Sequence, residues 1–166
     1  GDDKMRTKII VAIMTMLLSV VCFGCGQDPV QEDLLNYINT ELPTLADLET
    51  EAMQKYESVT GDNYTDDFVL YETLSNEIIP TYRKFVEGLE EIKPKTKEVQ
   101  ELHGLYVEAA NMQYNALVQI MAAIEQLDTN IIANVNEKMS EGRKKLREFE
   151  TKLLELAEEH NVTLEQ

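Results

Sequence analysis

The chain predicts an all-α fold, an antiparallel up-down-up-down four-helix bundle with long helices. Three observations carry this. Only four prolines and seven glycines interrupt 166 residues. Apolar residues recur three and four apart rather than alternating, which is the helical period. The segments so marked each run about 30 residues, about 45 Å at 1.5 Å per residue, and their connections are short enough to force antiparallel neighbours.

The first helix opens at Asp28, which can cap; Pro29 fits the first helical position, and Gln31 can reach back as in a capping box. Its stripe is Leu34, Ile38, Leu42, Leu45, Leu48, Ala52, Tyr56 and Val59, and the run from Thr60 to Asp67 breaks it. The second helix starts near Asp66, with acids where the helix dipole favours them, and carries Tyr71, Leu74, Ile78, Tyr82, Phe85, Leu89 and Ile92 up to the break at Lys93-Pro94-Lys95. The third keeps a heptad seam: Val99, Leu102, Tyr106, Ala109, Gln113, Ala116, Ile120, Ala123 and Leu127. After a turn at residues 127 to 130, the fourth repeats it with Ile132, Val135, Met139, Gly142, Leu146, Phe149, Leu153 and Leu156, and frays near Asn161.

Two prolines, Pro43 and Pro80, fall inside the first two helices, where each removes a backbone hydrogen bond and bends or ends the helix. If the chain folds back around residues 62 and 63, they lie at one level and form a paired kink. The carbonyls they free, those of Asn39 and Asn76, could then be satisfied by the hydroxyls of Tyr82 and Tyr106 or by water. The alternative is that each proline ends a helix.

Ahead of the bundle, Lys4, Arg6 and Lys8 precede an uncharged run from Ile9 to Val21. Its 13 residues fall short of the about 20 that a spanning helix needs, and they suit the apolar core of a secretory leader. Phe23-Gly24-Cys25 follows, a small residue directly before a cysteine. This stretch resembles the lipobox of bacterial lipoproteins, with Cys22 standing where the family usually has Leu. The resemblance implies cleavage by signal peptidase II before Cys25, a diacylglycerol on Cys25, and an extracytoplasmic protein anchored to the cell membrane or envelope. Residues 1–24 are then a signal peptide, with 1–4 extra, residues 25–28 a lipidated tether, and residues 29–166 the bundle. Two acyl chains at about 0.8 kcal/mol per buried CH₂ hold such an anchor where one would not. With Cys22 removed and Cys25 lipidated, the mature chain has neither a free thiol nor a disulfide.

Charge is the most biased quantity. From Asp28 to Pro80 there are 13 acids against the single base Lys55, a net of −12; residues 81–166 hold 16 acids and 11 bases, a net of −5. This excludes nucleic acid, whose phosphates need the opposite sign. It leaves a solvated surface, or an acidic half that meets cations or a basic patch on a partner.

Enzymatic constellations are missing. Neither His103 nor His160 has a glutamate three residues before it, as di-iron bundles require. No cysteine and histidine cluster suits zinc, and there is no phosphate loop or nucleophile elbow. His103 reads as a residue at the edge of the seam. The readings are therefore no catalytic residue, no metal and no cofactor. Asp62, Asp66 and Asp67 offer oxygen ligands of the kind calcium accepts, yet the same letters make a turn and a helix cap. Gln113, with Asn111 and Tyr114 beside it, sits where the third seam should be apolar, so it either fixes register or lines a small polar pocket. Arg143, Lys144, Lys145 and Arg147 form a basic cluster that can pair with glutamates four residues away.

The layout also resembles helical cell-envelope lipoproteins assigned to cell-wall binding. The expected role is a non-enzymatic binding or structural component of the bacterial cell envelope, held to the membrane through Cys25 and meeting an envelope protein or a cell-wall component. The alternative is a ligand- or cation-binding module serving a membrane partner.

Overall fold

The computed structural model describes residues 28–127 and 129–164, and among them the chain is all-helical, with no strand. Helix α1 is Pro29–Asn36, followed by a π turn at Tyr37–Glu41 and a 3-10 turn at Leu42–Thr44; α2 is Ala46–Ser58. Helix α3 is Asp67–Thr73, followed by a π turn at Leu74–Ile78, and α4 is Ile79–Glu91. Two long helices complete the chain, α5 at Lys97–Gln126 and α6 at Thr129–Glu159. The leader and Cys25 lie outside the described residues.

Neither interior proline breaks the helical path. Just before Pro43, the Leu42 N–H donates to the Tyr37 carbonyl, and just before Pro80, the Ile79 N–H donates to the Leu74 carbonyl, each five residues back. A π turn widens the helix by one residue, which makes room for the ring and re-spends the bonds that proline removes. The two kinks are nevertheless not level. A Cβ on Gly88 would come within 2.5 Å of Leu45 Cδ2, and Lys55 pairs with Glu77 at 2.6 Å. These contacts set Pro43 level with about residue 90 and Pro80 level with about residue 52, some 14 Å apart along the axis at about 1.5 Å per residue. The expected paired kink is therefore wrong, because α3 overhangs the end of α2 instead of starting beside it.

Neighbouring segments run antiparallel. Along α5 and α6, Glu101 meets Lys152 and Glu108 meets Lys145, both at 3.1 Å. Against α4, Gln113 meets Tyr82 and Asn111 meets Glu90. The seams of α5 and α6 are buried as expected from Val99 to Ala123 and at Val135, Leu146, Phe149, Leu153 and Leu156. Ile132 lies outside the described side chains. Leu127 does not extend the seam: it is 85% exposed and left-handed at φ 53°. Aromatic rings tie three helices together, since Phe85 stands edge-on to both Tyr82 and Tyr106, and Tyr106 stacks on Phe149 at 4.7 Å.

One end of the molecule is latched. Asp28 Oδ1 accepts the Val30 and Gln31 N–H groups, capping α1, while its Oδ2 accepts from His160 Nδ1 at 2.7 Å. Gln31 does not reach back as a capping box; its amide donates to the His160 carbonyl at 2.8 Å. Helix α6 does not fray: Asn161 turns left-handed at φ 54°, and the Val162 N–H returns to the Ala157 carbonyl at 2.7 Å, leaving Val162 buried.

Candidate functional site

The chemically notable groups are buried between the helices. Glu49 sits in α2 with Leu45 four residues before it and Ala52 three after, so helical spacing turns it inward. It is 5% exposed, and its Oε2 accepts the Tyr106 hydroxyl at 2.8 Å. Burial pushes this carboxyl up to about 7, against the opposing pull of the Tyr106 bond. Desolvation likewise raises the Tyr106 and Tyr82 phenols, with the Glu49 carboxylate adding to the effect on both.

Two further polar pairs share the interior. The Tyr82 hydroxyl donates to Gln113 Oε1 at 2.5 Å, linking α4 to α5. Tyr37, in the first π turn, lies 3.0 Å from His103 Nδ1, with the rings edge-on at 5.5 Å. Burial holds the His103 pKa below its usual value, aided by the nearby Lys93 charge, while a hydrogen bond to the Leu89 backbone opposes this. A ring that donates to the Leu89 carbonyl through one nitrogen leaves Nδ1 to accept the Tyr37 O–H. The Tyr82 and Tyr106 hydroxyls thus serve side chains rather than the carbonyls of Asn39 and Asn76 expected from sequence. Among the described residues, buried side-chain oxygens without a partner are Glu41 Oε2 and Gln119 Oε1.

A second buried acid works differently. Asp33 Oδ2 accepts the Lys95 N–H at 2.8 Å, the Thr96 N–H at 2.7 Å and the Thr96 hydroxyl at 2.8 Å, so α1 supplies the cap of α5 from outside that helix.

The residues singled out from sequence are spread over the molecule. Gln113 is buried against Tyr82, Asn111 donates to Glu90 and to the Val107 carbonyl, and Tyr114 packs half-buried on the core. Asp66 caps α3 through the Val69 N–H at 2.9 Å, Asp67 accepts the Tyr64 hydroxyl at 2.9 Å, and Asp62 is exposed in a 3-10 turn. Among the described residues, no group of three or more acids, histidines or cysteines is arranged to hold a metal ion. In the basic cluster Lys145 pairs across helices with Glu108, beside the expected Lys144 to Glu148 pair at 3.9 Å; Lys152, one turn on, reaches Glu101.

The surface carries shallow grooves. One, of about 440 Å³, is lined by Gln119, Ala122, Ile131, Asn134, Lys138 and Glu141 among others. Another borders Leu105, Arg147 and Lys152. Neither includes a member of the buried polar pairs. Sequence reasoning missed Glu49, Asp33 and Tyr37 as interior polar groups. The signal for Glu49 was available, since Leu45, Glu49, Ala52 and Tyr56 follow a four-three-four spacing with a carboxylate at a seam position.

No family model, curated protein or solved structure matches this chain. No helix among the described residues is long and apolar enough to cross a membrane.

Proposed function

We propose that the chain is a lipid-anchored, extracytoplasmic protein of the bacterial cell envelope, an up-down-up-down four-helix bundle that binds another macromolecule through its helix surfaces and catalyses nothing. The observation that supports this best is how the interior polar groups are used. Tyr106 is spent on Glu49, Tyr82 on Gln113 and Tyr37 on His103, so among the described residues these interior groups face one another and not the grooves at the surface. What remains for recognition is the outside. The latch fits a tethered protein as well, because Asp28, three residues after Cys25, is bound at once to α1 and to the end of α6.

A ligand-binding module is the second reading, favoured by the groove around Gln119, whose Oε1 is buried without a partner.

The anchor is tested by mass spectrometry of the protein isolated from bacterial membranes. A diacylglyceryl mass on Cys25, and loss of membrane retention in Cys25→Ala, are expected. A mature chain with an unmodified Cys25, or one beginning at Gly26, overturns the reading.

A further inference from the structure

The end opposite the latch combines features that the packing of the monomer does not use. Phe68, in the first turn of α3, is 72% exposed, and Tyr64 just before that helix is 47% exposed. The Tyr71 hydroxyl donates to Glu125 Oε1 at 2.6 Å, which brings this overhanging turn beside the end of α5. There Leu127 is 85% exposed in the left-handed conformation. That conformation is the helix-ending position where glycine costs least and a side chain with a Cβ is penalised. Leucine here adds strain and buries nothing in return.

The electrostatics of the same end are one-sided. Residues 56–82 contain six acids and no Lys or Arg, and residues 98–137 contain no Lys or Arg either. Lys55, at the end of α2, is already paired with Glu77. Local hydrogen bonds leave the charge in place, because the donors are neutral: Asp66 accepts a backbone N–H, and Asp67 and Glu125 accept tyrosine hydroxyls. Apolar side chains ringed by uncompensated carboxylates repel a second copy of the same tip, an anionic lipid surface and nucleic acid. They complement a cationic surface that carries its own apolar groups.

We propose that the tip formed by Tyr64, Phe68 and Leu127 is a docking surface for a basic, apolar-bearing segment of another protein. The proposal rests on the lipid-anchored reading only for its direction: with the tether at the latched end, α5 carries the tip about 45 Å away at 1.5 Å per residue.

The test uses the full chain in zwitterionic nanodiscs and a fluorescein-labelled amphipathic peptide of Lys and Leu, with binding followed by anisotropy. Phe68→Ser combined with Leu127→Gly is expected to weaken binding at least about tenfold, as loss of a central apolar anchor does. Leu127→Gly alone weakens it while leaving the melting temperature unchanged or higher, which separates lost docking from lost fold. Leu154→Ser, at an apolar residue 56% exposed on α6 outside the tip, changes nothing. A peptide with Glu in place of Lys does not bind. Equal binding by the parent and the tip variants, or by the Lys and Glu peptides, overturns the proposal. So does self-association in sedimentation that Phe68→Ser abolishes, which assigns the tip to a second copy. Failure of the anchor itself appears in the mass of Cys25 and not in the anisotropy, so the two failures are distinct.

Discussion

Tyr106 donates its hydroxyl hydrogen to Glu49 across 2.8 Å in the core, and the carboxyl that accepts it is held protonated to unusually high pH. Glu49 rises from the ordinary 4.5 to about 7, chiefly through burial. The folded chain therefore binds more protons than the unfolded one between these values, and stability falls as pH rises through that window. At about 1.4 kcal/mol per unit the loss approaches about 3 kcal/mol once the group is ionised. Glu49→Gln should remove this fall from the profile of melting temperature against pH. Parent and Glu49→Gln profiles of the same shape between these values rule the account out. His103 acts in the opposite sense: its depressed pKa makes stability fall as pH drops below 6.5, so the two groups oppose each other where their ranges overlap and the Glu49 share is read from the difference between the two profiles.

Phe149 and Lys144 share one helix and should behave oppositely. Phe149 is fully buried and stacked on Tyr106, so Phe149→Ala should cost about 3 to 5 kcal/mol. The Lys144 side chain is 72% exposed, with a 3.9 Å partner, and Lys144→Ala should change stability by less than about 0.5 kcal/mol. Urea denaturation of both variants checks the phase of α6.

Replacing Asp33 strands three donors at once, the N–H groups of Lys95 and Thr96 and the Thr96 hydroxyl. Asp33→Ala should cost about 2 kcal/mol, at the upper end for a helix cap. It should also speed amide exchange at Lys95 and Thr96. Unchanged exchange there means that water replaces the carboxylate without loss.

Because Pro43 and Pro80 lie at different levels, their effects should add. Pro43→Ala and Pro80→Ala, measured singly and together, should sum to within about 0.5 kcal/mol, as sites without shared partners do. A coupling well beyond that would restore the paired kink, and thermal denaturation of the four chains decides it.

Leu127→Gly should stabilise the chain by about 1 kcal/mol, since glycine relieves the left-handed penalty at φ 53°. A clear loss in differential scanning calorimetry would mean that the exposed side chain contributes contacts of its own.

The seams of α5 and α6 were legible because Val99 to Ala123 and Val135 to Leu156 keep heptad spacing through long, proline-free segments, where helical period alone decides which face is buried. The level of α2 against α4 was not. It depends on how far α3 overhangs, and on π turns whose only mark in the sequence is the proline that follows. Leu127 was read as seam because it continues the spacing from Ala123, but with no glycine in the turn, the residue ending α5 has to take the left-handed angle itself. Of the interior polar groups, Gln113 and His103 stood out by type and spacing. Asp33 did not, because its partners at Lys95 and Thr96 lie more than sixty residues along the chain.

The latch at Asp28 has a mechanical meaning. A pull on the chain ahead of Asp28 does not peel α1 off one turn at a time, because the same carboxylate grips His160 and the Gln31 amide grips the His160 carbonyl. Load entering there divides at once between the first helical segment and the last, two parts of the chain more than a hundred residues apart. Opening α1 from its first turn therefore requires its bonds to the end of α6 to break as well.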